Sequence, residues 1–156
     1  MRDYSIFDKF GFERQPVGVS FSLKKPEGIK RIEKHLGVCE MFKEAQTGEP
    51  FYAGVDDVQC GTQVMGMTAF PPVMESGQLG AEFSMFKTPS ANRRVYDFVP
   101  VLPRNIVQYI IHSPLDKLTS DPDLLIITAD AAQAEILLRA STYSTGRMWT
   151  AKGSTC

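Results

Sequence analysis

Residues 17–23 place a large apolar side chain at every second position, and this alternation constrains the fold more than any other feature of the chain. Directly after Pro16, the large residues Val17, Val19, Phe21 and Leu23 alternate with Gly18, Ser20 and Ser22. A period of two puts the large side chains on one face of a strand. The segment is therefore predicted to be a half-buried strand, which requires a sheet and a layer packed on its apolar face.

Other periodic segments supply the remaining sheet and the layer that covers it. The predicted strands are 16–23, 50–55, 106–112 and 123–128. The last of these holds a continuous apolar run, which is typical of a strand buried on both faces. The predicted helices are 27–36, a second one that begins at Val38 and ends before Gly48, a short one at 61–67, and 131–144.

The helix 131–144 carries the clearest start signal. Asp130 and Gln133 have the spacing of a capping box. Its predicted inner face consists of Ala134, Leu137, Leu138 and Ser141. We expect this helix to pack across the sheet.

The middle segment, 68–105, is rich in proline and glycine and has no single period. Short strands at 81–86 and 95–99 fit its composition. The segment is predicted to be either a long functional loop or a set of edge strands.

These elements predict an α+β fold: a single domain spanning residues 1–156, with a mixed β-sheet and helices packed on it. The length of 156 residues suits one domain, and a hydrophobic content of 43% is ordinary for a globular protein. The chain is therefore long enough to bury a core without a disulfide framework.

Charge and hydropathy exclude several classes of partner. Lys plus Arg is 17 and Asp plus Glu is 18, so the net charge of -1 argues against a nucleic-acid binder that works by bulk charge. No apolar stretch approaches the roughly 20 residues that a membrane-spanning helix needs. No apolar segment follows the N-terminus as in a signal peptide, so we expect a cytoplasmic protein with reduced thiols. The aromatic residues allow a homo-oligomer interface, although no motif marks one.

A local basic stretch allows two interpretations. It consists of Lys24, Lys25, Lys30, Arg31 and Lys34. The first interpretation is a solvated helix face, and the second is a site for an anionic ligand or partner. Both stay open on the sequence alone.

Cys39 and Cys60 are both predicted to lie at the beginning of a helix. There the helix dipole and unpaired N–H groups favour negative charge on a thiol. The alternative is that both are inert, because an unoxidised cysteine often behaves as a small buried hydrophobic residue.

A metal site would draw on nearly every soft ligand in the chain. The ligands available are Cys39, Cys60, Cys156, His35 and His112. Structural zinc takes four ligands, whereas an iron–sulfur cluster would need the third cysteine and a fourth ligand from elsewhere. His112 ends a predicted strand and is expected to be a hydrogen-bonded structural histidine.

Several motifs together resemble the domain-of-unknown-function family 169 of bacteria and archaea. They are Phe10-Gly11-Phe12 before Pro16-Val17-Gly18-Val19, Cys39-Glu40-Met41 before Glu44-Ala45 and Gly48, Phe51-Tyr52, Cys60-Gly61 with Gly66, and the segment from Pro122-Asp123 to Gly146. The resemblance implies a cytoplasmic prokaryotic protein and makes Cys39, Cys60 and Cys156 family-type positions. It implies no reaction. The comparable members are longer, so a truncation after residue 156 is an alternative to a naturally short chain.

Three functions remain as hypotheses. The first is a metal or cofactor site, with an iron–sulfur cluster or zinc held by Cys39 and Cys60, and Cys156 as a mobile third group. This hypothesis predicts that the sulfurs of Cys39 and Cys60 lie within about 4 Å of each other.

The second is a small-molecule binding or regulatory module with structural cysteines. Its ligand would lie between the sheet and the middle segment, in a pocket lined by Phe70, Phe83, Phe86 and Tyr96. The third is a thiol-dependent enzyme, in which Cys39 or Cys60 is the nucleophile.

Overall fold

A computed structural model describes residues 1–150 of the chain. Its centre is a five-stranded mixed sheet with the strand order β2-β3-β4-β1-β5. The strands are β1 (Val17–Ser22), β2 (Lys30–Arg31), β3 (Phe51–Gly54), β4 (Tyr109–Pro114) and β5 (Leu124–Ile126). Only β2 and β3 pair in parallel, whereas β3–β4, β4–β1 and β1–β5 are antiparallel. The predicted α+β class is confirmed.

The alternating segment forms β1, which lies between β4 and β5 in this sheet. Val17 and Val19 of β1 are buried in the core, and Ser20 and Ser22 lie on the opposite face. The core is closed by α1 (Val38–Ala45), whose Met41 and Ala45 are fully buried. The apolar face predicted from the sequence is therefore the face on which α1 packs.

The predicted helix 27–36 is wrong. Its residues form bends around β2, and Ile32 donates its backbone N–H to the carbonyl of Tyr52 at 2.9 Å. Ile32 is nevertheless buried, so the sequence identified an inward-facing residue but assigned it the wrong period. Parallel pairing with β3 outweighs local helix propensity here. The short helix predicted at 61–67 is likewise replaced by turns over 62–66.

The middle segment is helical, so the strands predicted at 81–86 and 95–99 are wrong. It contains α2 (Pro72–Glu75), α3 (Gln78–Glu82) and α4 (Pro89–Tyr96). Thr88 caps α4 by accepting a hydrogen bond from the N–H of Ala91 at 3.2 Å, and Pro89 occupies the first helical position. Proline at that position is compatible with a helix because its missing N–H would have no partner there.

The C-terminal helix α5 (Ala131–Thr145) forms where it was predicted and is capped as predicted. Asp130 accepts from the N–H of Gln133 at 2.8 Å, and the Gln133 side chain accepts from the N–H of Asp130 at 3.0 Å. No residue of α5 is buried, so the expectation that it packs across the sheet is wrong. The helix is linked instead to the N-terminal segment, where Gln133 Nε2 donates to the carbonyl of Phe10 at 2.9 Å.

Strand β5 lies at the edge of the sheet, where it pairs with β1. It was predicted to be buried on both faces, but Leu124 is 51% exposed. A continuous apolar run does not reveal how many strands will flank it. None of the helices described in residues 1–150 has the length and apolar character needed to span a membrane.

Candidate functional site

Cys60 lies beside the residue that precedes α1 because the parallel pairing of β2 and β3 continues beyond the strands. Leu36 and Val58 form an isolated parallel bridge. The N–H of Leu36 donates to the carbonyl of Asp57 at 3.0 Å, and the N–H of Gln59 donates to the carbonyl of Leu36 at 2.8 Å. The residues that follow each side of this bridge are therefore neighbours, which places Gly37 beside Cys60.

Gly37 is the residue that precedes α1, and it touches the thiol of Cys60. A Cβ atom at Gly37 would lie 2.9 Å from Cys60 Sγ and 3.3 Å from Glu40 Oε2. Both distances are too short for an ordinary contact with carbon, so this position accommodates Cys60 because it lacks a side chain. Glu40 Oε2 also accepts a hydrogen bond from the N–H of Gly37 at 2.8 Å.

Cys39 lies in the first turn of α1, two residues after Gly37. Among the described residues both Cys39 and Cys60 are free thiols, and both are exposed. The two cysteines therefore flank the N-terminal end of one helix, as the sequence predicted for Cys39. The predicted separation of their sulfurs stays a prediction, and Cys156 lies outside the described residues.

The two histidines do not complete a ligand set in the described part of the chain. His35 is exposed in the turn before the Leu36 bridge, whereas His112 is fully buried in β4. Over residues 1–150, no group of three or more His, Cys, Asp or Glu side chains could hold a metal ion. The two cysteines alone would contribute only half of a tetrahedral site.

His112 differs from the expected hydrogen-bonded histidine. Its ring stacks on Phe51 with centroids 5.2 Å apart, and neither ring nitrogen has a hydrogen-bond partner among the described residues. Burial lowers the pKa of His112 to about 4, because the apolar surroundings disfavour the charged ring. The side chain is therefore neutral at physiological pH and belongs to the core.

The basic stretch is not a helix face, because the segment that carries it is not helical. Arg31 Nε lies 2.9 Å from Asp57 Oδ2, and Lys34 Nζ pairs with Glu44 Oε1 at 2.6 Å. Lys30 makes no ion pair with any residue between 1 and 150. Two of the five charges of the stretch are thus neutralised locally, whereas those of Lys24, Lys25 and Lys30 have no ion-pair partner among residues 1–150.

The aromatic pocket predicted for a small molecule forms only in part. Phe70 and Tyr96 pack with ring centroids 5.6 Å apart, beside a small pocket of about 170 Å³ whose lining residues lie between 70 and 101. The prediction that the sheet forms one side of this pocket is therefore wrong, because no residue of the sheet lines it. Phe83 is 69% exposed and is not part of it.

The comparisons with known proteins agree with this description at the level of the family. The model of domain-of-unknown-function family 169, described as uncharacterised ArCR, matches residues 5–156. The chain belongs to this family. No curated protein and no solved structure matches it.

For this DUF169 chain, the match extends through the middle segment 68–105, which contains none of the motifs on which the resemblance rests. Membership confirms the resemblance but supplies no reaction. The feature that sequence reasoning missed is the contact of Gly37 with the thiol of Cys60. The position of Gly37 immediately before a predicted helix and two residues before Cys39 was the available signal.

Proposed function

We propose that this DUF169 protein binds a thiolate-preferring cofactor, zinc or an iron–sulfur cluster, through Cys39 and Cys60, with Cys156 as a third ligand. The observation that carries the proposal is the contact of Cys60 Sγ with Gly37, 2.9 Å from the position of a Cβ atom. That contact brings a cysteine from a distant turn to the helix end where Cys39 already lies.

The surroundings of the two thiols suit a soft cation. Both side chains are exposed, so a ligand could reach them without opening the core. Thiolates are the preferred ligands of zinc and of iron–sulfur clusters. The helix dipole at the N-terminal end of α1 would partly offset the negative charge of the two thiolates.

The described residues provide only two of the ligands, so the proposal requires the remaining ones from elsewhere. Cys156 is the third soft ligand of the chain. A fourth position would be filled by another residue, a solvent molecule or a second protein. Binding would then tie Cys156 to the beginning of α1.

The proposal is tested by metal analysis and a UV–visible spectrum of the full chain purified without oxygen. We expect one zinc per chain, or iron with a broad band near about 400 nm. Cys39→Ser and Cys60→Ser should each abolish the metal, and Cys156→Ser should weaken its retention. Metal-free protein that takes up neither Zn²⁺ nor iron and sulfide on reconstitution would contradict the proposal.

Gly37→Ala provides a variant that moves the thiol of Cys60 away from the end of α1 without removing either cysteine. Its Cβ would displace Cys60 Sγ, and its backbone φ of -68° is ordinary for alanine. We expect Zn²⁺ affinity to fall by about tenfold or more, equivalent to about 1.4 kcal/mol, while the circular dichroism spectrum is unchanged. Unchanged affinity would mean that Cys60 binds independently of this contact.

The alternative of a thiol-dependent enzyme also uses Cys39 and Cys60. The same purified protein distinguishes it from the metal site by the rate at which the cysteines are alkylated. Metal-free protein in which a single cysteine is alkylated rapidly at neutral pH would favour a nucleophilic thiol. Slow alkylation of both thiols would favour structural cysteines and a separate binding site.

A further inference from the structure

The face of the sheet opposite α1 contains a cavity over Tyr52 that no cysteine lines. The strand register fixes which side chains face it. Phe51 belongs to the core cluster that α1 covers, so its neighbour Tyr52, together with Arg31, which pairs with Tyr52, faces the opposite side. Tyr109 faces that side too, because its ring meets the ring of Tyr52 edge to face with centroids 5.7 Å apart.

This Tyr52 cavity has charges of both signs in its lining. Its volume is about 380 Å³, within the range typical of small-molecule sites. The charged lining residues are Lys25, Arg31 and Asp56, and Val55 and Met67 add apolar surface. Such a lining suits a ligand that carries both charges and a hydrocarbon part.

Arg31 is fixed in position by a carboxylate at its Nε atom. Arg31 Nε donates to Asp57 Oδ2 at 2.9 Å and to Asp57 Oδ1 at 3.1 Å. Asp57 Oδ2 also accepts from the N–H of Gly54 at 2.7 Å, and the Asp57 side chain is only 13% exposed. The terminal nitrogens of Arg31 make no hydrogen bond to any residue between 1 and 150. They are donors held in place before a ligand enters, which limits the ordering cost of binding.

Asp56 places the opposite charge beside these donors. Its Oδ2 atom lies 4.0 Å from Arg31 Nη2, which is too long for a hydrogen bond, and its side chain is 87% exposed. Asp57 balances the charge of Arg31, and Asp56 balances that of Lys25, so the site has no net charge to select a simple anion or a simple cation. A ligand with an anionic and a cationic group on neighbouring atoms could contact both Arg31 and Asp56.

Tyr52 contributes a further polar group to the cavity. The residue is 5% exposed, and its hydroxyl has no hydrogen-bond partner in the described part of the chain. Over residues 1–150, only the nitrogens of His112 are both sealed from solvent and without a partner, so the Tyr52 hydroxyl is open to the cavity. A phenol in a buried position usually pairs with a polar group, and an acceptor on a ligand would supply one.

We propose that the Tyr52 cavity binds a free α-amino acid with an apolar side chain. The carboxylate of the ligand would accept from the terminal nitrogens of Arg31 and from the Tyr52 hydroxyl. Its ammonium group would donate to Asp56, and its side chain would lie against Val55 and Met67. Arg31, a member of the basic stretch, is thereby assigned to a zwitterionic ligand and not to a simple anion.

A matched series of probes tests both charges and the location together. Hexanoate is norleucine without its amino group, and pentylamine is norleucine without its carboxyl group. In a two-dimensional ¹⁵N–¹H NMR titration of the full chain, we expect L-norleucine to shift the amide signals of Gly54, Val55, Asp56 and Tyr109 in a saturable way. Hexanoate and pentylamine should each bind at least about tenfold more weakly, because each lacks one charged contact.

Asp56→Asn removes the acceptor for the ammonium group. We expect the affinities for L-norleucine and pentylamine to fall by about tenfold and that for hexanoate to stay the same or rise. The exposure of Asp56 makes a folding defect unnecessary to explain such a selective change. Asp116→Asn is the matched control, because Asp116 is exposed and does not line the cavity. It should leave all three affinities unchanged.

Arg31→Lys tests the carboxylate end with the opposite selectivity. Lysine keeps the positive charge and can still pair with Asp57, but it lacks the planar fork of donors. We expect the affinities for L-norleucine and hexanoate to fall by about tenfold and that for pentylamine to be unchanged. Arg14→Lys, at an exposed position outside the cavity, should behave like the parent.

Several results would overturn the proposal. They are hexanoate or pentylamine binding as tightly as L-norleucine, the same loss of all three probes in Asp56→Asn and Arg31→Lys, signal shifts centred away from residues 54–56 and Tyr109, or no saturable shift at all. Because no cysteine lines the cavity, failure here would leave the cysteine proposal intact.

Discussion

The burial of His112 makes a single side chain responsible for part of the acid sensitivity of the fold. Its pKa is lowered from 6.5 to about 4, so the folded protein keeps the ring neutral where the unfolded chain would protonate it. Stability from this residue is fully present above pH 6.5 and is lost as the pH falls towards 4. The difference corresponds to about 3 kcal/mol.

We therefore expect His112→Leu to reduce the loss of unfolding free energy between pH 7 and pH 4 by about 3 kcal/mol. At pH 7 the variant should be as stable as the parent or more stable, because it removes two buried nitrogens without partners. Urea denaturation at several pH values measures both effects. Parallel pH profiles for the two proteins would refute this prediction.

At the level of single residues, the sequence indicated which side chains are special better than it indicated their surroundings. His112 was expected to be structural, which is correct, and hydrogen-bonded, which is wrong. Whether a buried nitrogen finds a partner depends on neighbours from other strands, here Phe51 of β3. That information is not present in the local sequence.

At the level of elements, the helices α2–α4 are joined by one buried amide. Asn92 of α4 is 4% exposed, and its Nδ2 donates to the carbonyl of Gly77 at 2.9 Å. A Cβ atom at Gly80 of α3 would lie only 2.4 Å from Asn92 Nδ2. The glycines that suggested loops and strands in the sequence instead allow the helices to approach this side chain.

Asn92→Ala should open this helical group while leaving the sheet folded. The change leaves the carbonyl of Gly77 buried without its donor, which costs about 1–3 kcal/mol. We expect limited proteolysis between residues 77 and 98 to become faster, with little change in the unfolding of the sheet. Arg94→Ala, on the same helix but exposed, is the matched control and should behave like the parent.

At the level of the whole molecule, stability should follow burial and not local helix signals. The core lies between β1, β3, β4 and α1, whereas α5 has two reciprocal cap hydrogen bonds but no buried residue. Helical stability in proteins comes mainly from packing. Hydrogen exchange measured by mass spectrometry should be slowest in β1, β3 and β4 and fast in α5. Slow exchange throughout α5 would mean that another surface covers it.

The order of the strands in the whole molecule was also the feature that the sequence predicted least well. The α+β class and the family were both recognisable, because they rest on local periods and motifs. The order of strands was not, because the two-residue strand β2 has no pattern of its own and exists through its pairing with Phe51 and Tyr52. A cavity of about 430 Å³ over Gly18 depends on that order, since its walls come from residues 28–30, 49–50 and 117–120.

The bridge between Leu36 and Val58 links the thiol pair to the folding equilibrium. Cys60 lies beside the end of α1 that carries Cys39 only while that bridge holds, and unfolding separates the two residues along the chain. Any ligand that needs both thiols must therefore favour the native ensemble by mass action, in proportion to the logarithm of its concentration over its dissociation constant. The melting temperature of the chain thus becomes a reporter for ligands of this pair, whatever their chemical nature.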